Sequence, residues 1–252
     1  MSNENAPKET IDLPSGGKFY EEGSPLASGQ IDIYYLTARH EDILTSTNLI
    51  SKGLVFDKLY EALIATPGAH IDDMLTGDVN AVMVASRILG YGKDYEVSVT
   101  CPNCGTGEST VADLTKLKDR VPTVTTVEQV GKNYVVELPV SKAKIEFRLM
   151  TRGMEKTMQK ELDGYKKLQM EYTPETTTFL KFIIVSINGS TDKASIKTFV
   201  DNMLVRDSKF MRDVYMDVKP DVNFEFDYTC SACSNTSPVR LPIGTAFFWP
   251  NS

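Results

Sequence analysis

Cys101-Pro102-Asn103-Cys104 and Cys230-Ser231-Ala232-Cys233 hold every cysteine of the chain, and 125 residues lie between the two pairs. Two thiolates two residues apart can grip one metal ion, and a tetrahedral zinc needs a second such pair to close its shell. The chain supplies one more pair and no surplus, which is the outline of a split zinc ribbon: one zinc per chain, held by Cys101, Cys104, Cys230 and Cys233. A four-thiolate zinc has no open position at which to activate water, so the expected role is structural. Joining residue 101 to residue 233 through metal closes a long loop whose entropy otherwise favours the unfolded chain.

Other chemistries of paired cysteines fit less well. A thioredoxin-like redox pair wants one motif at a strand-to-helix turn, whereas here there are two, each between strands. Disulfides need an oxidising compartment, yet residues 1–10 have no apolar core resembling a signal peptide, so the expected setting is a reducing cytoplasm. Four thiolates could also hold an iron–sulfur cluster; the paired-knuckle layout favours zinc.

The pairs need elements to carry them. Tyr95–Thr100 and Phe224–Thr229 alternate as strands before the pairs, and Ser109–Leu114 and Ser237–Ile243 alternate after them. Each pair therefore reads as the turn of a β-hairpin, over 95–114 and 223–243. Between the hairpins, Tyr134–Leu138 and Ile145–Leu149 predict another hairpin over 133–149. Helical periodicity and capping residues predict helices over 37–52, 56–65 and 78–89, within a helical block over 37–90. A second block covers 153–218, with helices over 153–172, from Thr173-Pro174 to Ile187, over 195–204, and from a cap at Asp207 or Ser208 to Pro220. Its Met and aromatic stripes read as core. The fold class expected is α+β: helical blocks flanking an antiparallel β unit built around the split ribbon. Each half places a helical block before a knuckle. Convergence on the ribbon pattern accounts for that better than duplication, because side-chain identity between the halves is slight.

Residues 1–30 are polar and rich in Gly, Pro and Ser around the dense patch Leu13-Pro14-Ser15-Gly16-Gly17-Lys18-Phe19-Tyr20, which reads as an extended arm ahead of a single domain over 31–252. Gly16-Gly17-Lys18 lacks the spacing of a phosphate loop. At the other end, the tail over 244–252 carries Phe247, Phe248 and Trp249, the only tryptophan. They either fold back over the zinc sheet or anchor a partner as buried aromatics do. Phe19, Tyr20, Phe247, Phe248 and Trp249 are the candidate partner contacts.

Composition narrows the function. With 252 residues, 41% hydrophobic and 24% charged, the chain is an ordinary globular protein, and it has no apolar run of about 18 residues to span a membrane. Its net charge is −7, and Asp94, Glu96, Glu108, Asp113, Glu225 and Asp227 surround the two pairs, with Lys93 and Arg240 the nearby cations. That surface does not suit phosphate, which counts against the second reading, a zinc-ribbon module of a nucleic-acid transaction complex such as a transcription accessory factor. The two histidines, His40 and His70, sit in no catalytic motif, and Arg39-His40-Glu41-Asp42 falls in a helix first turn where exposed charge is common.

Several short segments carry a resemblance: Leu13–Tyr20, Arg87-Ile88-Leu89-Gly90-Tyr91-Gly92, Ser186-Ile187-Asn188-Gly189, Phe199–Met203, Arg206-Asp207-Ser208, the second Cys-x-x-Cys and the closing Phe247-Phe248-Trp249-Pro250. In this order they resemble the baseplate hub and hub-assembly proteins of T-even-like contractile-tailed bacteriophages. The resemblance implies a structural or assembly component of the tail baseplate without enzymatic activity. Its partners would be other tail and baseplate proteins, with several copies in a symmetric assembly. It would bind no nucleic acid directly, insert into no membrane and take no small-molecule substrate. It would be located in the host cytoplasm during assembly, and then either be retained in the virion tail baseplate or act only while that baseplate is built. Members of that family differ in their zinc ligands, so the metal is inferred from the four cysteines alone.

Overall fold

The computed structural model describes residues 6–124, 127–243 and 247–248. In chain order they form β1 (Lys8–Asp12), β2 (Gln30–Tyr34), α1 (Ala38–Leu44), α2 (Thr47–Ser51), α3 (Val55–Leu63), α4 (Thr76–Tyr91), β3 (Asp94–Thr100), β4 (Gly107–Asp113), β5 (Lys118–Asp119) and β6 (Glu128–Val130). There follow β7 (Asn133–Glu137), β8 (Lys144–Arg148), α5 (Arg152–Lys167), α6 (Glu175–Ile183), β9 (Ile184–Ile187), α7 (Lys193–Asp201), α8 (Val205–Val218), β10 (Val222–Asn223), β11 (Glu225–Thr229) and β12 (Thr236–Arg240). The architecture is α+β, with small antiparallel sheets: the ribbons β1–β2, β3–β4, β5–β10 and β11–β12, and one four-stranded sheet in the order β6-β7-β8-β9.

Apolar side chains gather into two clusters. The first draws on β1–β2, α1, α3, α4 and both cysteine hairpins, and it contains Ile33, Leu59, Val82, Val97, Tyr228 and Phe247. The second lies between the four-stranded sheet and α6, α7 and α8, with Phe147, Ile145, Leu180, Ile183 and Met211 at its centre. Two-stranded ribbons are marginal alone and need a surface to cover one face. In β3 the residues alternate strictly, with Tyr95, Val97 and Val99 buried and Glu96, Ser98 and Thr100 exposed, so one face of the ribbon lies on the first core.

The two clusters meet where the start of α4 runs beside the start of α5. Thr76 donates its N–H to the Met150 carbonyl at 3.2 Å, and Arg152 donates to the Met74 carbonyl at 2.8 Å. The N-terminal patch locks onto this seam. The Tyr20 hydroxyl accepts the Leu75 N–H at 2.9 Å and donates to Asp78, which is wholly buried and also accepts the Ser15 N–H at 2.9 Å. Burial raises the Asp78 carboxyl above the usual carboxylate range, opposed by these donors. Gly17, at φ +78°, lies so close to the Ala27 carbonyl that any Cβ would collide with it.

Residues 8–30 are therefore not the extended arm expected. β1 pairs residue for residue with β2, and Leu13 and Leu26 are 3% and 1% exposed in the first core. The glycines and Ser15 that look like linker composition build tight turns that hold Asp78.

Helix boundaries also differ. The helix expected over 37–52 breaks into α1 and α2 at Thr45 and Ser46, where the Thr45 hydroxyl returns to the Glu41 carbonyl at 2.9 Å. The helix over 153–172 ends at Lys167, and Gln169 turns left-handed at φ +51°. The helix expected to reach Ile187 stops at Ile183; the β-branched run Ile184-Val185 continues instead as β9, edge strand of the four-stranded sheet. Leu204, not Asp207 or Ser208, occupies the N-cap position of α8, without a side-chain capping bond. Asp207 is wholly buried and accepts the Val140 and Ser141 N–H groups at 2.8 and 3.0 Å, fixing the β7–β8 turn. At the end of α4, the buried Arg87 guanidinium donates to the Gly92 carbonyl at 3.0 Å and the Asp94 carbonyl at 3.3 Å, and lies over the Tyr91 and Tyr95 rings. This clamps the helix to the first knuckle strand.

The seam predicts a graded series. Asp78→Ala, which strands two donors in the interior, should lower unfolding free energy in urea by about 3 kcal/mol, and Tyr20→Phe by about 1 kcal/mol. Equal stability of both variants and the parent would refute the latch.

Candidate metal centre

Each cysteine pair sits in a hairpin turn of the same construction. In the first, Cys101 donates its N–H to the Thr106 carbonyl at 2.9 Å and Gly105 donates to the Cys101 carbonyl at 2.9 Å. In the second, Cys230 donates to the Asn235 carbonyl at 3.0 Å and Ser234 to the Cys230 carbonyl at 2.9 Å. The residue after each pair is left-handed: Gly105 at φ +76° and Ser234 at φ +56°. Such a turn folds the backbone around its own sulfurs, so that amide N–H groups point at them.

The two turns face each other. Cys101 Sγ lies 3.8 Å from Cys233 Sγ, Cys104 Sγ lies 3.7 Å from Cys230 Sγ, and all four sulfurs fall within 4.8 Å of one another. The first cysteine of each pair thus stands against the second of the other, a two-fold arrangement. No disulfide joins them, since a disulfide needs about 2.05 Å. A zinc about 2.3 Å from four tetrahedral sulfurs would place neighbouring sulfurs about 3.8 Å apart, so the donor set fits such an ion. Cys101 and Cys230 are buried on the first core, Cys233 is half-buried and Cys104 is exposed. Hydrogen bonding from Thr106 pulls the Cys104 thiol down to about 6, and the Cys233 N–H lowers that of Cys230. Both effects favour the thiolate that a metal binds, whereas, against the N–H groups of Cys104 and Asn103, burial and the Cys104 and Cys230 sulfurs push the Cys101 thiol up to about 11.

Side chains from one turn hold the other. Glu108 on β4 accepts the Tyr228 hydroxyl at 2.5 Å and the Ser231 N–H at 3.1 Å, and also the Ser231 hydroxyl. The Ser231 hydroxyl, then that of Tyr228, hold the Glu108 carboxyl below the usual range. From the first turn, Asn103 Nδ2 approaches the Cys233 sulfur at 3.6 Å. Sequence reading finds the cysteines but takes Glu108 as one more nearby charge. Its role depends on how two hairpins distant in sequence face each other, which no local pattern encodes.

The aromatic candidates divide. Phe247 and Phe248 are each 1% exposed, Phe247 edge-on to Tyr95 at 5.1 Å and Phe248 beside Phe56 at 5.7 Å. Of the two outcomes expected of them, both take the first and fold back into the chain's own core. Trp249 lies outside the described residues. Phe19 and Tyr20 are half-buried and line a cleft with Leu149 and Met154. His40 Nδ1 accepts the Thr37 N–H at 3.0 Å, closing the start of α1, a structural use of that histidine.

A family model described as "T4 bacteriophage base plate protein" matches residues 7–249. The chain belongs to that family. The matched span of this base plate protein runs from the first strand through both cysteine turns to the buried Phe247 and Phe248, so it takes in both cores. Membership gives it a structural or assembly role in the phage tail baseplate. No curated protein and no solved structure matches it. Among the described residues no helix is long and apolar enough to cross a membrane.

The matched turns make a testable pair. Ser234→Gly relieves a left-handed serine and should raise stability by about 1 kcal/mol, whereas Gly105→Ala imposes the same cost on the first turn and should lower it by about 1 kcal/mol. Thermal melts in which the two substitutions shift the midpoint in the same direction would contradict the equivalence of the turns.

Proposed function

We propose that this base plate protein is a scaffold component of the hub region of a contractile tail, acting through protein–protein contacts, with one structural zinc bound by Cys101, Cys104, Cys230 and Cys233. The observation that carries the metal is the convergence of four sulfurs, from cysteine pairs 125 residues apart, to within 4.8 Å of one another, with contacts of 3.7 and 3.8 Å between the pairs. Four thiolates that close repel one another unless a cation lies between them. A shell closed by four sulfurs leaves no coordination site for a substrate, which supports a non-enzymatic role. In this reading the zinc pins the two knuckle hairpins over the first core, and the protein enters the baseplate as repeated copies in a symmetric assembly. It is made in the host cytoplasm and carried in the virion tail. Half-buried Phe19, in its cleft with Tyr20, is the aromatic position at which a neighbour would dock.

Elemental analysis of purified protein should find about one zinc per chain. The Cys101→Ser, Cys230→Ser double variant should lose it and at least about 3 kcal/mol of stability. A metal-free protein with four titratable thiols would overturn the zinc and leave family membership untouched. The hub assignment is tested separately, by isolating tail intermediates from infected cells. Recovery with central tail components supports it, and recovery only with peripheral baseplate components overturns it.

A further inference from the structure

The second core carries a cleft of about 540 Å³ between α5, α6, β9 and α7, remote in sequence from the cysteines. Its charge is opposite to that of the chain as a whole. Arg148, Lys181, Lys193 and Lys197 line it against one lining carboxylate, Glu161, in a protein of net charge −7. Lys181 is shared with Asp201 at 2.5 Å, and Arg148 donates only to the Phe182 carbonyl, at 3.3 Å, among the described residues. Lys193 and Lys197 stand one helical turn apart on α7, both exposed, and neither makes an ion pair among the described residues. The floor between these cations is apolar, formed by Phe182, Ile184 and Ile196.

We propose that this cleft receives an acidic segment bearing apolar side chains, contributed by another base plate protein. Charge complementarity supplies the acidic character: the cations exceed the acids that face them, and they surround the cleft rather than lying scattered on a flat surface. The floor supplies the apolar character, because desolvated aliphatic and aromatic surface at the centre with charge at the rim is the layout of a peptide-binding hot spot. A free phosphate is far smaller than the space and gains nothing from its floor. A nucleic acid needs a longer basic track than four side chains on an acidic protein. The proposal rests on the baseplate reading only for the source of the segment; the cleft's preference belongs to the chain itself.

The test uses the full-length protein and a short fluorescein-labelled peptide rich in Asp and Glu with one Phe and one Leu, read by fluorescence anisotropy. Binding should weaken as salt is raised, and fall by about tenfold or more in Lys193→Glu, Lys197→Glu, whose exposed positions leave the melting temperature and metal content unchanged. A peptide of the same charge without apolar residues, and single-stranded DNA of the same charge, should bind at least several-fold more weakly. No binding, binding unaffected by the double substitution, or equal binding of the charge-only peptide or DNA would each overturn the proposal. Loss of peptide binding together with continued co-purification of the double variant with tail proteins would assign recruitment to another surface, overturning the cleft and leaving the baseplate role intact.

Discussion

Two hairpins that cannot stand alone must meet over one core. The ribbons β3–β4 and β11–β12 are each two strands and, among the described residues, pair with no larger sheet. They meet in three ways: apolar faces on the first core, four sulfurs within 4.8 Å of one another, and Glu108 reaching from one hairpin to Tyr228 and Ser231 of the other. Electrostatics makes this approach conditional on protonation: neutral thiols can share S–H···S contacts at 3.7–3.8 Å, whereas four thiolates so close repel one another unless a cation lies among them. Cys101 and Cys230 are the two sulfurs that also lie buried on the first core, so the sulfur cluster and that core share residues.

A second constraint works where no metal is concerned. The N-terminal residues reach the boundary between the two cores and hydrogen-bond to Asp78 and Leu75. A carboxylate this deep costs several kcal/mol unless it is well supplied with donors, and Ser15 and Tyr20 are those donors. Local sequence and tertiary packing are coupled here in both directions. The tight glycine turns exist to aim a backbone N–H, and the backbone N–H is needed because Asp78 is there.

Much of this was legible in the sequence. Strict alternation around the cysteines identified both hairpins, and the alternation of Tyr134–Leu138 and Ile145–Leu149 found the central strand pair. Strongly periodic helices were located to within a few residues at their starts. Three of the errors share a cause, which is that distant partners decide them, whereas the break at Thr45 and the stop at Lys167 are local. Ile184–Ile187 can extend a helix or edge a sheet, and only the exposed edge of β8 chooses. Asp207 has the composition of a cap for its own helix but serves a turn 66 residues away. The segment 8–30 has linker composition because tight turns and linkers both use Gly, Ser and Pro; burial of Leu13 and Leu26 separates them, and burial is a property of the whole fold.

The two cores are nested. Residues of the second come from 75 to 218, while those of the first come from 13 to 114 and then from 222 to 248. During synthesis the inner unit has all its parts as soon as α8 leaves the ribosome. The outer one waits for β11, β12 and the two phenylalanines that close against Tyr95 and Phe56. Until then the faces of β3 and α3 that will be covered are open to solvent, and Cys101 and Cys104 have no second pair to face. In order of synthesis, the residues of the half that bears the basic cleft are all made by residue 218, and the half that bears the thiols is completed only by residues 222–248.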